Sequence, residues 1–294
     1  MIEFDCVRFT VLLTEDLSFC SSQNGGVLFG NVICNCPCGD LKMEIFGYSE
    51  RGMLNSLFYE IACSQNDLQL FNEFLKSIYF PYKAINFQIS EAKLLIEQSF
   101  SDFGDADAVL LLNNQGNNQI AFIEAKVKTS QRERWNISEE FGEFTKGIAE
   151  NNINSSNLLV QLYHKARLIK ALQDGGIKQL QNGVQFPKGS SKEYRKIGDN
   201  EVVLRAVNLL VPYCRDAFFI GIVPDNISSL KAFYQDTLKD YKPSGFQEWN
   251  IMNLGCISWA CVERFCSEHK LRRTIENFRF NEGQIYDKNQ GNCR

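Results

Sequence analysis

Two acids and a lysine lie at the outer ends of two β-like runs that are joined by the segment NNQGNN. Segments rich in Asn and Gly are typical of hairpin turns. If Leu112 lies opposite Gln119 across this hairpin, Asp107 lies directly opposite Glu124. Directly opposed side chains share one face of a sheet, with Cβ atoms about 5 Å apart, and Lys126 lies two residues further along that face. The spacing therefore predicts a cluster of two carboxylates and one ammonium group.

Two carboxylates this close repel each other unless a proton or a cation lies between them. Mg²⁺ prefers carboxylate, carbonyl and water oxygens, so Asp107, Glu124 and the main-chain carbonyl of Ala125 form a candidate magnesium site, with Mn²⁺ as a possible substitute. The alternate residues Ala121, Ile123 and Ala125 are all apolar, which predicts that the other face of this strand is buried. The charged residues thus end a strand that is otherwise apolar.

A predicted helix before the sheet offers a third carboxylate, from either Glu50 or Glu60. With about 100° of rotation per residue, Glu50 points into the middle of the apolar stripe of this helix. Glu60 falls at the edge of the stripe, where a solvated carboxylate is expected. We therefore favour Glu50 as the helix acid, and the alternative is that it only caps the first turn. The stripe consists of Met53, Leu54, Leu57, Phe58 and Ile61.

The order of a helix Glu, an Asp, a hairpin and Glu-x-Lys resembles the PD-(D/E)xK nuclease superfamily, which has the restriction-endonuclease-like fold. The matching residues are Ala106-Asp107, with Ala where the superfamily has Pro, and Glu124-Ala125-Lys126. The resemblance covers roughly residues 48–172. It implies an α/β fold with a mixed central sheet flanked by helices. It also implies Mg²⁺-dependent cleavage of DNA or, less favoured, of RNA, with products that carry a 5′-phosphate.

The resemblance also implies a role for each residue of the cluster. Asp107, Glu124 and the carbonyl of Ala125 would hold the metal together with Glu50. Lys126 would orient or help to deprotonate the attacking water and would stabilise the charge on the phosphate.

Further residues are candidates for a place beside this site or for contact with phosphate. Asp105 has the same strand parity as Asp107, and we place it in the preceding turn. Lys128 lies further out on the face of Lys126. Many members of the superfamily place a Gln on the helix after Glu-x-Lys, and Gln161 matches that position.

Helicase-associated exonucleases of the superfamily carry a Tyr four residues after this Gln. Lys165 occupies that position here, which weakens the assignment to the exonuclease subtype. Basic residues outnumber acidic ones between residues 126 and 196, although the whole chain has a net charge of −4. Candidate phosphate contacts in this basic segment are Lys165, Arg167, Arg195 and Lys196.

The whole sequence predicts one α/β domain with additions at both ends. Residues 1–46 contain short strand-like runs and form an accessory segment, residues 47–280 form the nuclease-like domain, and residues 281–294 are expected to fray. The predicted sheet comprises four β-like runs, INFQIS, AKLLIEQSF, DAVLLL and QIAFIEAKV. Helical periodicity predicts a helix pair before these runs and several helices after them.

Composition restricts the class of protein. With 44% hydrophobic residues and a net charge of −4, the chain matches a soluble globular protein and not a histone-like or membrane-coating one. No run approaches the roughly 18 to 20 apolar residues of a membrane span, and the first residues lack the basic region of an export signal, so we expect a cytoplasmic protein. The 11 cysteines are therefore expected to be free thiols.

Two other interpretations stay open. The chain could be a non-catalytic nucleic-acid-binding or protein-binding module of the same fold. It could also be a thiolate-metal domain centred on Cys34, Cys36 and Cys38, although structural zinc sites usually show paired clusters. Because the chain is acidic overall, a homodimer or a partner subunit could supply part of a DNA-contacting surface.

Overall fold

The computed structural model of the chain describes residues 9–12, 28–29, 32–33, 45–83, 85–128, 135–150, 155–186, 194–239, 241 and 253–286. Cys34, Cys36 and Cys38 lie outside the described residues, as does most of the predicted accessory segment 1–46.

The described chain contains both helices and strands, mixed along its length. The α-helices are α1 (Ser49–Ala62), α2 (Asp67–Lys76), α3 (Ile137–Glu150), α4 (Leu158–Asn182), α5 (Glu201–Leu210), α6 (Ile227–Ala232), α7 (Trp259–Glu268) and α8 (Arg272–Phe280). The strands are β1 (Phe9–Leu12), β2 (Leu28–Phe29), β3 (Val32–Ile33), β4 (Ile89–Ser99), β5 (Asp105–Asn114), β6 (Asn117–Ala125), β7 (Val184–Gln185), β8 (Tyr194–Arg195), β9 (Ala217–Val223) and β10 (Leu254–Ser258).

The central sheet is mixed. Its five main strands lie in the order β4-β5-β6-β9-β10, and the short β1 extends it beside β4. The neighbours β4, β5 and β6 are antiparallel, whereas β6, β9 and β10 run parallel to one another. The strands β2 with β3, and β7 with β8, form two short separate pairs. The predicted α/β class with a mixed central sheet flanked by helices is therefore confirmed.

Helices cover both faces of the sheet. Side chains alternate between the faces along each strand, so neighbouring residues of one strand pack against different helices. Val109 and Phe122 point to the face that packs against α3, α4 and α5. Ala121, Ile123 and Ala125 point to the other face, which packs against α1, α2, α7 and α8. The predicted burial of these three apolar residues is confirmed.

One strand boundary differs from the prediction. The end of INFQIS and the run AKLLIEQSF belong to a single strand, β4, whose pairing with β5 shifts register between Ile89 and Glu91, and residues 85–88 precede this strand. Two consecutive residues at this irregularity, Ser90 and Glu91, are exposed and interrupt the alternation of the strand. The sequence pattern therefore resembles a turn between two strands.

The chain after α8 does not fray at its start. Residues 281–294 were expected to have little to bury, yet Asn281, Ile285 and Tyr286 are all buried. The carbonyl of Ile285 also accepts a hydrogen bond from the Lys128 main-chain N–H at 3.2 Å. The fraying prediction is therefore wrong for residues 281–286, because two large side chains reach the core from a segment that is otherwise polar.

The cysteines are not all free. Cys214, Cys256 and Cys266 are free thiols, as expected, but Cys63 and Cys261 are disulfide-bonded. In the described part of the chain, none of the helices has both the length and the apolar character needed to cross a membrane.

Candidate active site

The β5–β6 hairpin has the predicted register. Leu112 pairs with Gln119, and the ladder continues to the pair of Ala108 and Ile123. Asp107 and Glu124 are the next residues outward on the two strands. At this point a side chain takes the place of a main-chain acceptor of the strand ladder. The Oδ2 atom of Asp107 accepts a hydrogen bond from the Ala125 main-chain N–H at 2.8 Å. This bond fixes the first acid beside the Glu-x-Lys segment.

Both acids belong to the face of the sheet that α4 covers. Val109, two residues after Asp107, and Phe122, two residues before Glu124, pack in the same core cluster on that face. Glu124 is almost completely buried there, with 2% of its side chain exposed, whereas 14% of the Asp107 side chain is exposed. The prediction that the two carboxylates lie on one face of the sheet is supported by this packing.

A buried lysine of α4 neutralises Glu124. Lys165 Nζ lies 3.2 Å from Glu124 Oε1, and the Lys165 side chain has no exposed surface. The same ammonium group donates hydrogen bonds to the carbonyls of Phe103 at 3.1 Å and Asp105 at 2.8 Å. Two main-chain hydrogen bonds and one ion pair therefore hold Lys165, and Glu124 Oε1 has no hydrogen-bond partner among the described residues.

The close approach of α4 to the sheet depends on two sequence features. Asn157 caps the helix, because its side chain accepts hydrogen bonds from the N–H groups of Leu159 and Val160. Gly221, which pairs with Glu124 across β6 and β9, leaves room for Leu158, whose Cδ2 would lie 3.1 Å from a Cβ at position 221. The first turns of α4 therefore lie directly over the end of β6.

Electrostatics make the site unfavourable for two free carboxylates. Burial raises the pKa of Glu124 to about 7, and the negative charge of Asp107 also raises it, against the opposing charges of Lys165 and Lys126. Burial likewise raises the pKa of Asp107, although the hydrogen bond from Ala125 and the Lys126 charge lower it. A further cation between the acids would offset this cost.

Lys126 is fixed at both its main chain and its side chain. Its N–H donates to the carbonyl of Ile222 in β9 at 2.8 Å, and its carbonyl accepts from Trp259 Nε1 in α7 at 2.7 Å. Its Nζ donates a hydrogen bond to Gln161 Oε1. The structure therefore brings together the lysine and the glutamine that the sequence analysis selected separately.

The first turn of α1 reaches the same end of the sheet. Glu50 is half-buried there, and its charge raises the pKa of Asp107, so the two carboxylates are close enough to interact. Arg51 Nε lies 4.0 Å from Asp107 Oδ1, and Arg51 Nη1 lies 3.7 Å from Glu97 Oε2. Arg51 therefore bridges two acids beside the candidate site.

Sequence reasoning missed Arg51 and Glu97. Glu97 lies between two β4 residues, Ile96 and Gln98, that keep the same register with β5, and its φ of 53° lies in the left-handed region that few non-glycine residues adopt. Its carboxylate contacts Arg51 and accepts a hydrogen bond from Asn55 Nδ2 at 3.0 Å. The sequence carries no signal for this backbone conformation, because Glu97 fits the alternation of an ordinary strand.

Three other predictions need correction. Lys165 is not a surface phosphate contact, because burial and three acceptors hold its ammonium group inside the fold. Asp105 starts β5 and does not lie in the preceding turn; its carboxylate is exposed and its carbonyl makes the contact near the site. Glu60 is not simply solvated, because it accepts hydrogen bonds from the N–H groups of Arg273 and Thr274 at the start of α8.

Lys128 and the remaining basic candidates lie around this centre. Lys128 is half-buried beyond the end of β6. The guanidinium groups of Arg167 and Arg195 lie over the Phe186 ring, at 5.2 and 5.0 Å from its centroid. Arg195 is buried, so it is not an open surface charge.

The donor set suits a hard divalent cation. The candidate donors are the carboxylates of Asp107 and Glu124 and the carbonyl of Ala125, and oxygen donors of these kinds are the ones that Mg²⁺ prefers. Among the described residues, no group of three or more His, Cys, Asp and Glu side chains is arranged to hold a metal ion. A magnesium ion here would therefore depend on carbonyl and water oxygens as well as on the two acids.

Comparison with known proteins adds no family to this description. No protein-family model, curated protein or solved structure matches the chain.

Proposed function

We propose that the chain is a Mg²⁺-dependent nuclease of restriction-endonuclease-like fold that hydrolyses DNA phosphodiesters. The observation that carries this proposal is the hydrogen bond from the Ala125 N–H to Asp107 Oδ2 at 2.8 Å. It joins the acid of β5 to the centre of the segment Glu124-Ala125-Lys126, which is the arrangement that the PD-(D/E)xK resemblance requires. The mixed sheet with helices on both faces agrees with the proposed fold.

Asp107, Glu124 and the carbonyl of Ala125 would hold Mg²⁺, with Glu50 at its edge. When bound, the ion would polarise the scissile phosphate and offset the negative charge that accumulates during the reaction. The two acids are preorganised for this role, because the Asp107 carboxylate is fixed by a main-chain hydrogen bond and Glu124 is fixed by Lys165.

Lys126 supplies the protein's own contribution to the chemistry. Gln161 Oε1 holds its ammonium group, which would orient the attacking water and stabilise the charge on the phosphoryl oxygens. In the reaction, the water oxygen bonds to phosphorus and the bond from phosphorus to the 3′ oxygen breaks. The water loses one proton to solvent and the 3′ oxygen gains one, which leaves a 5′-phosphate and a 3′-hydroxyl.

The test is cleavage of plasmid and linear DNA by the pure protein with Mg²⁺, with Mn²⁺ and with EDTA. We expect metal-dependent cleavage, and we expect Lys126→Ala to lower the rate by about 100-fold or more, the usual effect of removing a group that stabilises transition-state charge. Lys178→Ala is the matched control, because Lys178 is exposed on α4 and touches none of the site residues described above. Equal cleavage by the wild type and Lys126→Ala would identify a contaminating nuclease and would contradict the proposal.

One observation favours a second candidate, a DNA-binding or protein-binding module that does not cut. Lys165 already neutralises Glu124 inside the fold, so this carboxylate has a structural partner without any metal. The two functions differ in metal binding, which isothermal titration calorimetry measures directly. A nuclease should bind Mn²⁺ and lose this binding in Asp107→Asn, whereas the non-catalytic module should bind no Mn²⁺ at this site.

A further inference from the structure

Arg51 of α1 lies beside two acids of neighbouring strands. The pairs of β4 and β5 on either side of Glu97 place this residue across from Asp107, and Glu124 follows on the next strand, β6. Arg51 Nε lies 4.0 Å from Asp107 Oδ1, and Arg51 Nη1 lies 3.7 Å from Glu97 Oε2. Asp107 Oδ2 accepts a hydrogen bond from the Ala125 N–H, so Arg51 faces the other oxygen of this carboxylate. The guanidinium group is therefore at the edge of the candidate active site.

The donors of this guanidinium group are not used by the protein. Hydrogen bonds from N–H to oxygen span about 2.7–3.2 Å, and both contacts of Arg51 are longer. Its side chain is 52% exposed, and within the part of the chain that the structure describes the guanidinium makes no hydrogen bond. By contrast, Lys126 donates to Gln161, and Lys165 is buried against Glu124. Of these three cations, Arg51 is therefore the one whose donors are open to a ligand.

Glu97 holds Arg51 at a cost that stability does not explain. The φ of Glu97 is 53°, and Glu97 Oε1 accepts a hydrogen bond from Asn55 Nδ2 at 3.0 Å. A left-handed conformation is costly for a non-glycine residue, and such conformations are concentrated at functional sites. An exposed ion pair returns less stability than this conformation costs. The arrangement therefore indicates that the position of Arg51 matters for function.

We propose that Arg51 is a further catalytic residue that contacts the phosphate that is cut, and that Glu97 is the positioning residue that holds it. Lys126 is held by α4 and Arg51 belongs to α1, so the two cations reach the acids from opposite helical layers. The planar guanidinium donates two parallel hydrogen bonds to phosphate oxygens, which an ammonium group cannot do. The inference rests on the proposed nuclease function for its reaction, but contact with phosphate can be measured without cutting.

The first test is the salt dependence of DNA binding. The affinity of the protein for a short fluorescently labelled duplex is measured by anisotropy between about 50 and 200 mM salt. Ca²⁺ replaces Mg²⁺, because it takes the same kind of oxygen ligands. We expect Arg51→Met to weaken binding about tenfold, the loss of a hydrogen bond between charged groups, and to reduce the salt slope by about 0.9, the value for one phosphate contact. Arg51→Lys keeps the charge and should keep the slope.

Arg264→Met is the matched control. The Arg264 side chain is 53% exposed, and its Nε lies 3.8 Å from Glu268 Oε1 in α7, so it has the same exposure and the same kind of ion pair as Arg51. Both variants remove one positive charge. We expect Arg264→Met to keep the wild-type slope. An equal loss of slope in the two variants would show a general effect of net charge and would overturn the inference.

The second test separates kcat from KM in DNA cleavage. We expect Arg51→Met to lower kcat/KM by about 10- to 100-fold and Arg51→Lys to recover only part of this loss, because lysine lacks the planar fork. Glu97→Gln keeps an acceptor for Asn55 and removes the charge that holds Arg51. We expect its kcat to fall about threefold to tenfold, while its KM stays unchanged or falls because the site repels DNA less. A wild-type kcat in Glu97→Gln would reject Glu97 as the positioning residue.

The outcomes also separate this inference from the proposed nuclease function. A protein that cuts no DNA but loses its salt slope only in Arg51→Met would reject the nuclease and support Arg51 as a phosphate contact. Metal-dependent cleavage that is equally fast in Arg51→Met and the wild type would support the nuclease and overturn the role of Arg51. A wild-type protein that binds no DNA in Ca²⁺ and cuts none in Mg²⁺ would overturn both.

Discussion

Lys165 supplies the cation that Glu124 needs inside the fold. The pair is completely removed from solvent at the lysine end, and its distance of 3.2 Å is that of a direct ion pair. A buried ion pair contributes little net stability compared with an apolar pair, but removing one partner leaves an uncompensated buried charge. Lys165 is therefore a positioning residue for Glu124 and not a group that touches the substrate.

We predict that Lys165→Met lowers the free energy of unfolding by about 3–5 kcal/mol, because Glu124 then remains buried without its partner. The double variant Lys165→Met with Glu124→Gln should recover a large part of this loss, since the remaining amide carries no charge. Urea denaturation at neutral pH measures both changes.

Lys170→Met is the control for Lys165→Met. Lys170 forms a half-exposed pair with Asp174 one turn along α4, and such surface pairs contribute about 0–1 kcal/mol. If Lys165→Met were as stable as Lys170→Met, the buried pair would not be the element that holds Glu124.

His164 predicts how stability depends on pH. Its pKa is lowered to about 2 in the folded protein by burial first, and then by the charges of Arg195 and Lys165, which face it from β8 and from its own helix. The unfolded chain takes up this proton near pH 6.5, whereas the folded chain does not until about pH 2. The contribution of His164 to stability is therefore complete above pH 6.5 and is lost progressively as the pH falls toward 2.

We predict that His164→Phe flattens the acid side of the stability profile between pH 6 and pH 4, by up to about 1.4 kcal/mol per pH unit relative to the wild type. Thermal unfolding across this pH range measures the difference. A His164→Phe profile parallel to that of the wild type would mean that the buried imidazole takes up its proton in both states.

At the scale of elements, the site is formed where α4 packs on the end of β6. Gly221 in β9 is essential to this packing, because a Cβ there would lie 3.1 Å from Leu158 Cδ2 and 3.4 Å from Cys256 Sγ. The first turn of α4 would have to move away from the sheet to accept a larger side chain. Such a movement would also displace Gln161 and Lys165 from Lys126 and Glu124.

We predict that Gly221→Val lowers the free energy of unfolding by about 1–3 kcal/mol, the usual cost of overpacking, and also lowers any nuclease activity. Gly142→Ala on the exposed side of α3 is the contrasting control, because a Cβ there meets no atom within 4 Å. That change should leave activity intact and stabilise the protein by up to about 1 kcal/mol through helix propensity. Equal stability of Gly221→Val and the wild type would show that α4 can shift without cost.

The sequence predicts those parts of the site whose geometry is local. The hairpin register follows from the turn signal and strand alternation, and the structure confirms the pairing of Leu112 with Gln119. The acids of β5 and β6 could therefore be selected together. The approximate positions of the helices after the hairpin also follow from their periodicity, and α4 extends over the predicted segment and beyond it.

The parts that could not be predicted depend on contacts between distant residues. Lys165 reads as one basic residue among many in its segment, and only the docking of α4 shows that it is buried against Glu124. The left-handed backbone conformation of Glu97 could not be predicted because its side chain fits an alternating strand. Fraying was expected after α8 because two buried side chains in a polar segment carry no periodic signal.

At the scale of the whole molecule, the chain after α8 connects the two sides of the candidate site. Asn281 Nδ2 donates to the Gly47 carbonyl at 2.9 Å, just before the helix that carries Glu50. Four residues later, the Ile285 carbonyl accepts from the Lys128 N–H at 3.2 Å, just after the Glu-x-Lys segment. The segment 281–286 therefore ties the start of α1 to the end of β6.

Ile285 anchors this segment, because its side chain is 2% exposed and belongs to the core on the face of the sheet that α1, α2, α7 and α8 cover. We predict that Ile285→Ala lowers the free energy of unfolding by about 2–5 kcal/mol, the range for truncating a buried Ile. Ile45→Ala is the control of the same residue type, because Ile45 is 38% exposed, and it should cost less than about 1 kcal/mol. Urea denaturation of both variants decides whether residues 281–286 belong to the folded domain. Equal stabilities of the two variants would mean that these residues are part of a frayed tail. The predicted difference would mean that they are folded and hold α1 and β6 together at the site.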